Sequence, residues 1–255
     1  MASAKPKKQR LDVLLVARGL AADLDAARRL IGAGLVLVDT RICDKSGQPV
    51  AEDSRLSLRG DRRRFVSRGG EKLDGALRAA GIDPAGWVCA DIGCSTGGFT
   101  DCLLQHGARR VYSVDVGYGL LDWKLRQDER VVVLERTNAR QVTAGQIAEP
   151  LDFAVIDASF ISLEPLLAPL PPLFGEVVRI FALVKPQFQL PREAVGPGGV
   201  VIDPERHQQA LALVQRFGET LGLRCAAVVA SPVLGTKGNQ EFFMLLTGPS
   251  GPAHK

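Results

Sequence analysis

The sequence predicts an α/β fold: a mostly parallel sheet with helices on both faces, preceded by a small α+β module. Three observations carry this. From about residue 70 onward, short apolar strands alternate with helical stretches, which is the pattern of a parallel sheet. Residues 1–70 hold 15 Lys and Arg against 8 Asp and Glu, whereas the rest of the chain holds 17 against 20, so the charge changes sign between two parts. Gly, Asp and Lys recur where the predicted strands end, which is where ligands sit in open α/β sheets. With 255 residues, 46% hydrophobic and 24% charged, the chain suits one large domain plus a small module and is too apolar for disorder along most of its length.

Residues 1–9 show no periodicity and read as a flexible basic tail. Leu11, Leu14 and Leu15 share one helical face. Asp23 is a plausible N-cap for a second short helix, Leu24 to Ile31, which ends in Gly32-Ala33-Gly34. Leu35 to Val38 reads as a strand, Asp44 to Pro49 as a turn cluster, and Leu56 to Leu58 as a short last strand. This module spans 10–60, and the basic run Arg62-Arg63-Arg64 with Phe65 marks a linker over 61–66. The large domain follows over 67–248, and 249–255 form a second flexible tail. Within it Glu71 to Ala80 is helical and stopped by Gly81, and Trp87 to Ile92 is a strand entering a Gly-rich turn. Phe99 to Gln105 is a helix, and Val111 to Val114 a strand ending at Asp115. Val131 to Leu134 and Phe153 to Ile156 are strands, the second ending at Asp157, and Ile180 to Val184 ends at Lys185. Asp203-Pro204-Glu205 starts a helix whose stripe Ala210, Leu213, Val214, Phe217 and Leu221 is core. Cys225 to Ala230 and Phe242 to Leu246 are the last strands.

Composition excludes several classes. No run of about 18 apolar residues exists for a membrane span, and Asp12 and Arg18 interrupt the first apolar run, so neither membrane nor secretion is expected and the location is cytoplasmic. The five cysteines form no C-x-x-C pair, and His106, His207 and His254 are scattered, so reduced thiols and no metal are expected. At 5% aromatics, binding dominated by base stacking is disfavoured. The basic module suits phosphate; its blander reading is a solvated surface with a basic tail.

The chemistry concentrates in two places. In Asp91-Ile92-Gly93-Cys94-Ser95-Thr96-Gly97-Gly98-Phe99-Thr100-Asp101, Gly93 and Gly97 let backbone approach a ligand between strand and helix. This is neither a P-loop nor G-x-G-x-x-G. Asp115 follows about 20 residues on, where a carboxylate can accept both ribose hydroxyls of a nucleoside, a pairing common for S-adenosyl-L-methionine in methyltransferases. The second place is Asp157 and Lys185, at two further strand ends. A lysine after an apolar strand is partly desolvated and needs a carboxylate or a reason to lose its proton. A purely structural ion pair is the competing reading.

Together these residues resemble the TlyA family of ribosomal RNA ribose methyltransferases over about residues 10–247. The blocks are Arg18-Gly19-Leu20 with Ala27 to Ile31, Val66 to Leu73, Asp91 to Asp101, Asp157 to Leu163, Val184 to Phe188 and Gly238 to Phe242. The resemblance implies a Rossmann-like class I methyltransferase domain of FtsJ type, with a seven-stranded, mostly parallel sheet, and an RNA-binding module of the S-four type. It implies a Lys-Asp-Lys-Glu tetrad at Lys72, Asp157, Lys185 and Glu241. It places the cofactor S-adenosyl-L-methionine against Asp91, Gly93, Ser95, Thr96, Gly97, Gly98, Phe99, Asp115, Val116, Asn138 and Ala139. Arg63, Arg64 and Phe65 match a linker that in relatives couples RNA contact to the cofactor site. Two departures exist in the small module: Leu24-Asp25 replaces Ser-Arg before the second helix, and Val38-Asp39-Thr40 replaces Val-Asn-Gly. Phosphate contacts therefore fall on Lys7, Lys8, Arg10, Arg18, Arg28 and Arg29. Arg68, Arg136, Arg140, Arg192, Lys237 and Asn239 would hold RNA near the active face. The expected partners are ribosomal RNA or ribosomal subunits, with no obligate protein partner.

The mechanism this implies has Lys185, in its neutral form, accept the proton of a ribose 2′-hydroxyl, while Asp157 holds Lys185 and Glu241 holds Lys72. A lysine near 10.4 must fall by roughly 3 pH units to be half neutral at pH 7, on the order of 4 kcal/mol. Val195 to Gly199 is expected to be a lid. One rival is a non-catalytic RNA-binding protein retaining this fold. Another is a base methyltransferase, but Cys94 lies in the cofactor turn, and Asp157-Ala158-Ser159-Phe160 stands where N-methylating enzymes carry (Asn/Asp)-Pro-Pro-aromatic.

Overall fold

The computed structural model describes residues 8–58 and 64–250. The chain divides into two compact units, Met1–Arg63 and Arg64–Lys255. Lys7 and Arg63 of the predicted RNA contacts, residues 61–63 of the linker and residues 251–255 lie outside the described residues.

The first unit runs β1 (Lys8–Arg10), α1 (Leu11–Ala17), α2 (Leu24–Gly32), β2 (Val36–Val38), β3 (Arg41–Ile42), β4 (Pro49–Ala51) and β5 (Leu56–Leu58). Strand β2 lies between β3 and β5 in an antiparallel sheet, and β1 pairs with β4. Leu11, Leu14, Leu15, Ala27, Ile31, Val36 and Val50 bury together, so one face of each helix closes the core. Asp23 caps α2 by accepting from Ala26 N. Lys8 and Gln9, expected in a tail, are strand residues instead, because Ala51 and Val50 supply their partners. Strands β3 and β4 have two or three residues each, too few for a period to be read.

Asp12 is fully buried beneath Arg10 (2.7 Å) and Arg28 (3.5 Å). The hydrogen bond from Arg10, against the opposing effect of burial, holds its carboxyl below the usual range. Arg10 and Arg28 therefore have a structural partner besides any phosphate.

The second unit begins with α3 (Arg68–Ala80), capped by Ser67 and ended by Gly81 in the left-handed region. It continues with β6 (Val88–Ile92), α4 (Gly98–Gln105), β7 (Arg110–Val114), α5 (Trp123–Arg126), β8 (Val131–Leu134), β9 (Phe153–Ile156) and α6 (Glu164–Leu167). Then come β10 (Val177–Val184), α7 (Pro186–Gln189), α8 (Pro204–Thr220), β11 (Arg224–Ala230) and β12 (Phe242–Pro249). The seven strands stand in the order β11-β12-β10-β9-β6-β7-β8. Pairs from β10 to β8 are parallel, and β12 alone runs against both its neighbours.

Alternation along the strands sorts the core. Ala90, Ile92, Ala154, Ile156, Ile180 and Val184 pack on one face with Leu211 and Val214 of α8. Cys89, Phe153, Val155, Phe181 and Leu183 pack on the other with Leu73 and Leu77 of α3 and Leu103 of α4. The last strand extends to Pro249, and Ser250 N donates to Glu176 O, so the ordered chain runs beyond the expected start of the tail.

Candidate active site

Register explains why distant residues converge. Ile92, Val114 and Ile156 stand level across three parallel strands, so Gly93, Asp115 and Asp157 leave the sheet side by side. Val184 pairs with Phe242 in the antiparallel pair, which brings the neighbouring Lys185 and Glu241 to the same edge. Lys185 and Glu241 are buried, and the side chain of Lys72 is 12% exposed.

The four tetrad residues form two ion pairs. Lys72 Nζ donates to Glu241 Oε2 at 2.6 Å, and Lys185 Nζ lies 2.5 Å from Asp157 Oδ1. Lys185 Nζ also donates to Ser159 Oγ at 2.9 Å. Lys72, Asp157 and Lys185 line one cleft of about 320 Å³ with Ser67, Arg68 and Gly98. On one side lies a cavity of about 570 Å³ that includes Gly93, Ser95, Asp115, Val116, Asn138, Ala139 and Asp157. On the other, Lys185 and Glu241 line a cavity of about 480 Å³ with Phe160, Gln187, Phe188 and Lys237.

The side that carries Asp115 is partly organised by backbone. Asp115 Oδ2 accepts from Ser95 N at 2.8 Å and Oδ1 from Gly117 N at 2.7 Å, leaving each oxygen a further lone pair. Asn138 caps the short turn Ala139–Gln141 by accepting from Arg140 N. Beneath the cleft Asp91 is fully buried; its Oδ2 accepts from Thr100 N (2.8 Å) and Thr100 Oγ1 (2.7 Å). Its Oδ1 has no partner among the described residues. Burial pushes the Asp91 carboxyl up to about 7, with Asp157 and Asp115 adding and the Thr100 bonds opposing.

Several expected contacts are corrected. Gly97 is buried and lines none of these cavities: a Cβ there would stand 2.3 Å from Leu125 Cδ1. With φ +91° and Leu121 and Leu125 packed against it, the position admits only glycine. Gly93 does line the cavities, and a Cβ on it would meet the Asp157 carbonyl at 2.5 Å. Phe65 is 3% exposed and sits against Gly70, so its ring is not open to RNA. Asn239, 2% exposed, accepts from Val201 N and donates to Gly199 O, a fixed internal brace rather than an RNA contact. With Lys237 Nζ donating to Gly198 O, that brace holds the expected lid as a wall.

The other predicted basic residues are at the surface: Lys8, Arg10, Arg18, Arg28, Arg29, Arg64, Arg68, Arg136, Arg140 and Arg192. Arg18 donates to the carbonyls of Ser54 and Glu52. Arg64 is paired to Asp74 at 2.7 Å, and Arg136 stacks 4.2 Å over the Tyr118 ring. Sequence reasoning undervalued Phe160, which is 91% exposed with φ +67° between the two large cavities. A positive φ on phenylalanine is strained, and no composition count signals it.

Asp74, Cys102 and His106 lie close enough to suggest a metal. The site does not suit one. Asp74 already receives Arg64 (2.7 Å), Arg78 (2.8 Å) and His106 (2.8 Å), and burial pushes the Cys102 thiol up, away from the thiolate a metal needs.

Comparison with known proteins gives the family. Residues 65–247 match the FtsJ-like methyltransferase family, and residues 9–56 match the S4 domain. The 16S/23S rRNA (cytidine-2′-O)-methyltransferase TlyA of Mycobacterium tuberculosis is 46% identical over 94% of this chain and 90% of its own length. The chain belongs to the TlyA family of FtsJ-like methyltransferases. Another family member, YqxC of Bacillus subtilis, carries an rRNA methyltransferase name and is 47% identical over 95% of this chain and 87% of its own. A solved structure from Streptococcus thermophilus carries a hemolysin name; it has a TM-score of 0.72 and 40% identity, covering 98% of this chain and 91% of that one. Among the described residues no helix is long and apolar enough to cross a membrane. The TlyA-family chain described here is a methyltransferase; its fold is the Rossmann-like one the resemblance implied, built on the mostly parallel sheet that the strand pattern predicted.

Proposed function

We propose that this enzyme methylates the 2′-hydroxyl of a cytidine in ribosomal RNA, using S-adenosyl-L-methionine as donor. The observation that carries this reading is the position of Lys185 Nζ, held by Asp157 and Ser159 between a cavity suited to a nucleoside cofactor and a second cavity open to substrate. The identity to cytidine-2′-O-methyltransferases over almost the whole chain supports the choice of substrate. The large-subunit RNA is the favoured target, with the small subunit a possible second one.

The residues fit the cofactor. Asp91 Oδ1, buried and unpartnered, is an acceptor for a cationic amino group. Asp115 and Asn138 border the larger cavity, where a ribose and an adenine would bind. When bound, the cofactor supplies a methyl group on a sulfonium, already electrophilic. The chain must then align the hydroxyl, take its proton and exclude water. Lys185 is placed to take the 2′-hydroxyl proton, which requires that it first give up its own. Asp157 and Ser159 fix its direction, and Glu241 fixes Lys72 beside it, where the ammonium faces the developing alkoxide. Exposed Arg68, Arg136, Arg140 and Arg192 would hold the RNA backbone around the cleft.

A base-methylating reading finds little support. Cys94 is 5% exposed, and its thiol is pushed up by burial and then by Asp91, so it is no nucleophile. The test is Lys185→Ala, assayed with labelled cofactor on unmethylated ribosomal subunits, with nucleosides mapped after digestion. Loss of 2′-O-methylcytidine by at least about 100-fold, with cofactor affinity kept, is the expected result. Wild-type-like transfer by the variant removes Lys185 as base. Methylated bases in place of 2′-O-methyl nucleosides would replace the reaction altogether.

A further inference from the structure

The cavity beyond Lys185 contains an amide with nothing to bind. Gln187 Oε1 is buried against this cavity without a hydrogen-bond partner, and the Gln187 side chain makes no hydrogen bond among the described residues. Gln187 lies two residues after Lys185, on the short helix α7 that leaves the strand carrying the base. A polar group left unpaired in such a place is costly unless a ligand completes it. Its neighbours suit a nucleobase. Phe160 is exposed at the rim, and its ring centroid lies 5.3 Å from that of Phe188. The other amide in this wall, Asn239, is already satisfied by Val201 and Gly199.

We infer that Gln187 reads the Watson–Crick edge of the target base, its Oε1 accepting from the cytosine 4-amino group and its Nε2–H donating to ring N3. This rests on the ribose-methylating reading above, since it supposes that the nucleotide offering its 2′-hydroxyl to Lys185 places its base in this cavity. Uracil presents the opposite order, an acceptor at position 4 and a donor at N3. It would pair only with the amide turned over, which buries the NH2 group where the acceptor now stands. Cytosine is favoured because it pairs with the amide as it stands, whereas uracil is bound only after the amide has turned. Phe160 offers stacking area that any base could use, so discrimination falls to Gln187.

The experiment compares transfer to transcribed ribosomal RNA carrying cytidine or uridine at the mapped nucleotide. Wild type should favour cytidine, and Gln187→Leu should lower cytidine transfer about 10- to 100-fold while collapsing the preference to within a few-fold of unity. Gln187→Glu keeps an acceptor for the 4-amino group but sets its second oxygen against the N3 lone pair of cytosine, while with uracil it gains N3–H and opposes the 4-carbonyl; it should lower cytidine transfer and lose the preference as the Leu variant does. Cofactor affinity, measured by calorimetry, should be unchanged in both, which also shows that both are folded. A preference that survives in Gln187→Leu overturns the inference while leaving the ribose reading intact. Absence of ribose methylation in the wild type overturns both.

Discussion

Asp91 sets burial against charge within a single side chain. A carboxylate buried to this depth is disfavoured as an anion, which is why it titrates near 7. Its folded value lies above the unfolded one of 3.8. Its contribution to stability is therefore full below that unfolded value and is lost as pH rises through about 7. The difference is on the order of 4 kcal/mol. The same ionisation creates the anion that a cationic amino group needs. Cofactor affinity should rise between pH 6 and pH 8 in the wild type, and titration calorimetry across that range reads it directly. In Asp91→Asn the rise should vanish and affinity should fall at least about tenfold, while the ligand-free variant melts no lower than wild type at pH 8. A flat affinity profile in the wild type would remove Asp91 from cofactor binding. At this scale the sequence was partly legible: Asp115, Asp157 and Lys185 announce themselves by closing apolar strands, and Asp91 by standing in the last residues of one that enters a Gly-rich turn. Gln187 and Phe160 do not, because one matters through an empty hydrogen-bonding position and the other through a strained backbone angle.

Elements meet where side chains are missing. The N-termini of α3 and α4 touch at Gly98: a Cβ there would lie 2.1 Å from Ser67 Oγ and 2.9 Å from Gly70 N. Ser67 is the cap of α3, and α3 carries Lys72. Gly98→Ala must therefore push the two helix starts apart and disturb the cap, at a cost of about 1–3 kcal/mol by denaturant titration. Because Lys72 moves with α3, transfer should fall further than the loss of folded protein explains. Equal losses would mean the contact is structural only. Helices α2, α3, α4 and α8 were readable from caps and periodicity, and the parallel strands from their apolar runs. In the first unit β2 and β5 were readable as apolar runs, but β1, β3 and β4 were not, since pairing rather than pattern creates them. The reversal of β12 was hidden as well, since an apolar strand reads the same in either direction. The tetrad residue Glu241 depends on that reversal, so only family resemblance could assign it from the sequence.

For the whole molecule the decisive property is the uneven charge. The first 70 residues carry the excess of Lys and Arg, and an S4 domain spans residues 9–56 of that stretch. Binding to RNA through such a surface releases counterions, so log affinity should fall linearly with log salt, by roughly 0.7 to 0.9 for each phosphate neutralised. The basic residues are not equivalent reporters. Arg10 and Arg28 cover the buried carboxylate of Asp12, and Arg18 is tied to backbone carbonyls, so replacing any of these disturbs the fold as well as the field. Removing Arg10 in particular strands a buried anion. Arg29 is exposed and forms no ion pair among the described residues, which makes it the clean probe. Arg29→Ala should reduce the salt slope by about one unit without changing the melting temperature, whereas Arg28→Ala should shift both. Transfer at saturating RNA should be unaffected in Arg29→Ala, because the residue belongs to docking and not to the cleft. An unaltered slope in both variants would mean that RNA docks elsewhere, leaving the exposed arginines around the cleft to carry the electrostatic attraction.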